Sequence, residues 1–448
     1  MKTEVTLPIT RSIFLVFLLC TFVLIVGCEQ DSFFSDSKNL ENVDHLKDKD
    51  GHLKSGDKIF PSSATDVYTK AQEDWQNIYD ALQNAGPGET VQLAEGLFYL
   101  HKSLFRWDFN GILRGAGKDK TTIQTVPGYL FDVSDCPELV WPWGTVEGHF
   151  VICFPYHTTE DIINVSVSDL KILVTERATQ WINAGGIPVN GLQAVNIHYE
   201  KLIVPGDLSL SDKIDLNVYY KNISVVGEED ENGFILNIGL AAFGASSGSF
   251  EAKNCDLTNV GDGINPHVFC GENSVVTMKN CKIENTLTGS YTFLVSSYDI
   301  KGNEINNVGA IGLQLFTNNP WQTFDMPENV YSAIKDNSIQ MNTFDPNGSA
   351  ILGVRMNHVD VRNNVISGRC GVGITAWGGP FDHCEYWSIK DNYLCDLVLT
   401  HTNLPEGTTI ELNNALNCEV KNNANQVVGG ASAGDPSNLI GDAVDCPL

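Results

Sequence analysis

Ile-Lys-Asp-Asn-Ser-Ile at 334–339 and Val-Arg-Asn-Asn-Val-Ile at 361–366 are two copies of one short phrase. It returns as Ala-Lys-Asn-Cys-Asp-Leu (252–257), Met-Lys-Asn-Cys-Lys-Ile (278–283), Ile-Lys-Gly-Asn-Glu-Ile (300–305), Ile-Lys-Asp-Asn-Tyr-Leu (389–394) and Val-Lys-Asn-Asn-Ala-Asn (420–425). The fourth letters are Cys255, Cys281, Asn303, Asn337, Asn364, Asn392 and Asn423, spaced by 26, 22, 34, 27, 28 and 31 residues. A period of that size is the mark of a solenoid, whose units bury their apolar side only against neighbouring units.

Within the phrase an apolar residue and a Lys or Arg alternate, two turn-formers follow, and an apolar residue resumes. That is a period of two broken by a corner, with no 3.6-residue period, so the coils are strands rather than helices. Asn tolerates left-handed backbone angles and its amide bonds neighbouring backbone. Coils stacked at the spacing of a sheet, about 4.8 Å, would let an inward Asn bond the one above it. The leucine pattern of leucine-rich repeats is absent. The reading is all-β: a single-stranded right-handed parallel β-helix, with Asn303, Asn337, Asn364 and Asn392 in one column.

Upstream, Thr69-Lys70-Ala71-Gln72 has the form of a capping box, and Ala71, Trp75, Ile78 and Leu82 follow at helical spacing until Gly86-Pro87-Gly88. This predicts a helix over about 69–85, laid across the open end of the solenoid to protect its unpaired edge. Thr90–Phe98 then alternates as a strand, followed by Ile112-Leu113-Arg114-Gly115-Ala116-Gly117 and Thr121-Thr122-Ile123. The helix, this strand and this coil resemble the opening of pectin-lyase-like β-helix proteins. With the later phrases the resemblance spans roughly 65–430. It implies the fold; for activity it is unspecific, since the superfamily holds lyases, hydrolases, epimerases, adhesins and tailspikes. Gly115-Ala116-Gly117 is read as a coil corner, because no lysine-serine or helix pattern of a nucleotide loop follows.

The 448 residues carry 28 Lys+Arg against 55 Asp+Glu, a net charge of −27. Such a surface excludes nucleic acid and anionic lipid as partners. It also opposes a polyanionic glycan unless the groove is locally basic or holds a cation such as Ca2+. Residues 1–27 have the charged head (Lys2, Arg11) and apolar run of an export signal, and Ile25-Val26-Gly27-Cys28 resembles a bacterial lipoprotein box. The resemblance implies acylation of Cys28 and a place in the cell envelope, at the outer membrane or cell surface, with the membrane reached through the lipid only. Residues 28–60 read as a flexible acidic tether, and 61–448 as the β-helix domain, expected to act as a monomer.

Beyond Cys20 and Cys28, ten cysteines remain. Cys255 and Cys281 hold the same place in adjacent coils, within reach of a disulfide; a stack of reduced core thiols fits equally well. No Cys-x-x-Cys pair suggests zinc.

For chemistry, the sheet to examine contains 263–268, 310–316, 350–357, 371–377 and 408–413. With Ile311, Leu313, Val354, Met356, Val372, Ile374, Ile410 and Leu412 pointing inward, alternation turns Gln314, Arg355, Asn357, Thr375, Trp377, Glu411 and Asn413 outward, and His267 joins the row. Loops carrying Trp321 and Asp325, and Asp382 and His383, leave the same sheet. Aromatic faces (Trp321, Trp377) suit sugar rings, and Gln314, Asn357 and His267 join them as candidate substrate-binding residues. Arg355 or a His (His383) would serve as base for elimination, and Asp325 with Asp382 as the carboxylate pair for hydrolysis. Neither the closely spaced aspartates of polygalacturonase-like hydrolases nor the Arg-x-Pro-x-x-Arg of pectate lyases is present, so the resemblance carries over no catalytic residue. The expected function is binding and cleavage of an extracellular polysaccharide, with a noncatalytic glycan-binding or adhesive surface protein as the alternative.

Overall fold

The computed structural model describes residues 58–446 apart from 130, 134–138, 142–143, 147–148, 158–161, 175–191, 200–214, 231–232, 235, 246, 319–329 and 381. Thirty of its strands form one sheet wound into coils, and every pairing within that sheet is parallel. Three ladders run its length, giving a right-handed β-helix with three faces.

The first sheet contains Val275–Lys279, Tyr298–Lys301, Ser332–Lys335, Val359–Arg362, Trp387–Lys390 and Glu419–Lys421, each paired in register with the next. The second starts just past the Asn corner, with Lys282–Tyr291, Glu304–Phe316, Ser338–Asn342, Val365–Cys370 and Tyr393–Leu399. The third takes the later halves of Asp256–Phe269, Lys282–Tyr291 and Glu304–Phe316, then Ser349–Val354, Val372–Trp377 and Ile410–Asn413.

The corner explains the phrase letter by letter. All seven third letters (Asn254, Asn280, Gly302, Asp336, Asn363, Asp391, Asn422) have positive φ between 52° and 68°, the left-handed region that Asn, Asp and Gly enter at least cost. That turn throws the fourth letter inward. Asn303 donates to Asn337 at 2.8 Å, Asn337 to Asn364 at 2.9 Å, Asn364 to Asn392 at 3.0 Å and Asn392 to Asn423 at 2.9 Å. The second amide hydrogen of each bonds the carbonyl of the first letter one coil back, as Asn303 does with Met278 and Asn364 with Ile334. The column expected from the spacing is therefore present.

Cys281 and Cys255 continue it upward as free, buried thiols that donate to the equivalent carbonyls of Ala252 and Tyr220. Between the two alternatives the structure has reduced thiols here. Among the described residues a disulfide joins Cys395 to Cys446, a pair that coil spacing did not suggest.

Helix α1, Val67–Asn84, covers the first coil. Its N-cap is Asp66, whose side chain accepts from Thr69 N at 2.8 Å, rather than Thr69 itself. The buried face is Ala71, Asp74, Trp75, Ile78 and Leu82; Trp75 Nε1 donates to Ser103 O and Gln83 to Phe105 O. Asp74 is buried yet satisfied by Lys70 at 3.0 Å and the amides of Ser62 and Tyr99. Gly115 lies at a coil corner as expected; a Cβ there would meet Asp169 O at 2.2 Å.

Candidate functional site

The outer face of the third sheet carries two side-chain rows, one residue per coil. One runs Asn265, Tyr291, Gln314, Leu352, Thr375, Glu411; beside it run His267, Phe293, Phe316, Val354, Trp377 and Asn413. Gln314, Thr375, Trp377, Glu411, Asn413 and His267 thus stand in register as expected.

Arg355 and Asn357 do not. The strand's register sets Leu352 and Val354 in the outward positions, opposite Gln314 and Phe316, and Arg355, with φ +52°, ends the strand at Val354 and leaves Met356 in the core as expected. Arg355 is 4% exposed; its guanidinium donates through Nε to Gly378 O at 3.2 Å and has its pKa lowered by burial, an effect Asp382 opposes. Asn357 lies at the next corner and accepts from Glu385 N at 2.8 Å. Ile311, expected inside, is only half-buried and pairs with Thr288 at the sheet's entry. His383 is exposed, its amide bonded to Asp382. Trp321 and Asp325 lie outside the described residues. Among the described residues, no group of three or more His, Cys, Asp or Glu is arranged to hold a metal ion.

At the upper end the rows form a polar centre that the sequence reading touched only at His267 and Gln314. Asp262, Asn265 and His267 share the strand Asp256–Phe269. Asn265 Nδ2 donates to Asp262 Oδ2 at 3.2 Å, and Asn265 Oδ1 accepts from Tyr291 N at 3.3 Å. Burial pushes the Asp262 carboxyl up to about 6, against the bonds from Asn265 and Thr288 that favour its charge. Burial brings His267 down to about 3, so its imidazole is neutral at physiological pH. The ring of His267 stacks on Phe243 at 4.9 Å and meets Tyr291 edge-on at 5.0 Å; Phe293 and Phe316 extend the aromatic run at 6.3 Å. Val268, one residue on, has φ +63°, an uncommon conformation for a β-branched residue and of the kind that gathers at working sites. The retrievable signal was Asp-x-x-Asn-x-His within a single strand: two titratable groups and a hydrogen-bonding amide in six residues.

At the lower end, Thr375 Oγ1 donates to Glu411 at 3.3 Å and Asn413 to Glu411 at 2.5 Å, beside Trp377. Five rungs separate Asn265 from Glu411, about 24 Å at 4.8 Å per rung; along this trough the rows carry Tyr291, Phe293, Gln314, Phe316, Leu352, Val354 and Thr375, of which Gln314, Phe316, Val354 and Thr375 are buried.

Residues 231–386 match the family model described as right handed beta helix region. No curated protein matches the chain. Among solved structures it is similar to the A-module of Azotobacter vinelandii mannuronan C-5 epimerase AlgE4, at 14% identity, covering 87% of this chain and 95% of that one with a TM-score of 0.42. It is similar also to the Streptococcus pneumoniae surface protein and adhesin PfbA (14% identity, 86% and 97% covered, TM-score 0.39). A third is the catalytic domain of a GH87 alpha-1,3-glucanase in complex with nigerose (10% identity, 86% and 68% covered, TM-score 0.38). At these identities and TM-scores neither a family nor an activity passes to this chain through them.

Proposed function

We propose that the outer face of the third sheet binds an extracellular polysaccharide and that Asp262, Asn265, His267, Tyr291 and Gln314 act on it by proton transfer at a uronate unit. The observation that carries this is the Asp262–Asn265 pair set beside His267 and Tyr291 at the head of an aromatic trough. A carboxyl near 6 suits a general base at neutral pH. Asp262 takes the proton next to the uronate carboxyl, the carbon–oxygen bond to the leaving sugar breaks, a double bond forms, and the Tyr291 hydroxyl returns a proton to the leaving oxygen. Asn265, Gln314 and the neutral His267 supply hydrogen bonds to the carboxylate as charge develops on it. Hydrolysis by paired carboxylates asks for two such groups about 5–9.5 Å apart; the other described carboxylate in these rows is Glu411, five rungs away.

A second reading, binding without turnover, is favoured by the burial of His267, which is 6% exposed. The test is incubation with a panel of uronate and neutral glycans, following ultraviolet absorbance of unsaturated ends and the release of reducing ends. Unsaturated product from a uronate polymer supports elimination. Reducing ends without unsaturation would replace it with hydrolysis, and binding with neither supports the second reading.

We further propose that the chain is exported and held at the envelope by acylated Cys28, with 28–60 as tether. Labelled palmitate should enter the wild-type chain and be absent from Cys28→Ser; equal labelling of both would discard the anchor.

A further inference from the structure

On the first sheet, around the corner from Trp377, a recess of about 210 Å³ is lined by Tyr331, His358, Asp360, Arg362, Tyr386 and Ser388. The residues just before three successive strands, Tyr331, His358 and Tyr386, each put a ring at its rim. His358 and Tyr386 stack at 4.8 Å with planes 11° apart, and Tyr331 and Tyr386 are 56% and 49% exposed. At the floor Asp360 pairs with Lys335 at 2.7 Å and Arg362 at 3.3 Å and accepts from Tyr331 OH at 3.0 Å.

Ion pairs recur up this sheet: Lys301 meets Asp336, and Glu419 meets Lys390 one coil back and Lys421 on its own strand, the pattern that Asp360 repeats with Lys335 and Arg362. What sets the Asp360 step apart is burial. Here the Asp side chain is 10% exposed, against 42% for Asp336 and 35% for Glu419. Arg362 is spent on one 3.3 Å contact while its buried Nε has no partner. Two cations around one carboxylate leave a net positive floor on a chain of net charge −27. Flat exposed rings above a positive floor match a sugar ring that carries an anionic group.

We propose that this recess is a second saccharide site, separate from the trough, that takes a single carboxylate-bearing sugar unit between Tyr331 and the His358–Tyr386 pair. The sugar carboxylate accepts from Arg362, its ring lies against Tyr386, and Ser388 faces its hydroxyls. The site does not depend on turnover in the trough.

The test is calorimetric titration of the full chain carrying Asp262→Asn, which stops cleavage, with a uronate trisaccharide and with the same trisaccharide reduced at its carboxyl groups. Arg362→Gln and, separately, Tyr386→Ala are each added, with thermal midpoints checking that both remain folded. A binding component that weakens at least tenfold in each variant, prefers the acidic ligand at least tenfold, and survives Gln314→Ala in the trough is the expected result. Binding unchanged by both recess variants would overturn the proposal, as would equal affinity for the reduced ligand. A component lost only with Gln314→Ala would belong to the trough and likewise count against the recess.

Discussion

A half-buried carboxyl held near neutrality costs the fold something, and Asp262 allows that cost to be measured. Its folded pKa of about 6 lies above the ordinary 3.8, so the native state holds a proton between those values that the unfolded chain has released, and stability falls as pH rises through that window. Asp262→Asn removes the penalty while keeping an acceptor for Asn265. The variant should gain about 1–3 kcal/mol at pH 7 and lose turnover by about 100-fold or more, read from urea midpoints and initial rates. In the wild type, turnover should rise with pH through about 6 as the base ionises; a profile falling through that value would assign Asp262 as a proton donor instead. His198 and His267 act with the opposite sign. Burial lowers both to about 3, so the unfolded chain takes up protons below about 6.5 that the native chain refuses, and stability is lost as pH falls. At pH 5 two imidazoles work against one carboxyl, a net slope from these three groups of about 1.4 kcal/mol per pH unit. In Asp262→Asn that slope should double, and an unchanged slope would show that Asp262 is not the shifted group.

At the scale of the element, the corner divides its labour between two adjacent residues. Asn364 is fully buried, accepts from the Asn337 amide and side chain, and donates to Ile334 O and Asn392; Asn363 beside it supplies a left-handed turn at φ 56° and bonds Asp336 at the surface. Asn364→Ala strands several buried partners and should cost about 3 kcal/mol, whereas Asn363→Ala should cost about 1. Equal midpoints for the two would refute the division. This element was legible because its chemistry is local and repeated: a left-handed residue seven times over, each followed by an inward hydrogen-bonding side chain, five amides and two thiols. The site was legible only where strands keep strict alternation. Gln314, Thr375, Trp377 and Glu411 were placed correctly, but the left-handed Arg355 lets Val354 face outward while Met356 two residues on returns to the core, a break in alternation that strict period-two counting cannot follow. Asp262 escaped notice because its distinction comes from burial against other coils, which a single strand does not display. A second ladder at the far corner, Asn259, Asn285, Asn307 and Asn342, escaped because the residues around it do not repeat.

Over the whole molecule, stability in a solenoid is a sum over coils and the contacts between neighbours, so each end needs its own device. Helix α1 serves the first coil. At the other end the strands shorten to Val428–Gly429 and Leu439–Ile440, and Leu439 is 66% exposed. The Cys395–Cys446 disulfide ties the final segment back across a separation of 51 residues. In the chain-entropy picture a loop of that length is worth at most about 4 kcal/mol, more than two such short strands supply for themselves. Because coupling runs only between neighbours, the loss should stay local. In Cys446→Ser, amide hydrogen exchange should quicken across 410–446 and remain unchanged across 250–340, with the polar centre at Asp262 intact and turnover retained. Loss of protection along the entire solenoid would mean that the coils unfold as one unit, and the additive account of this chain would then fail.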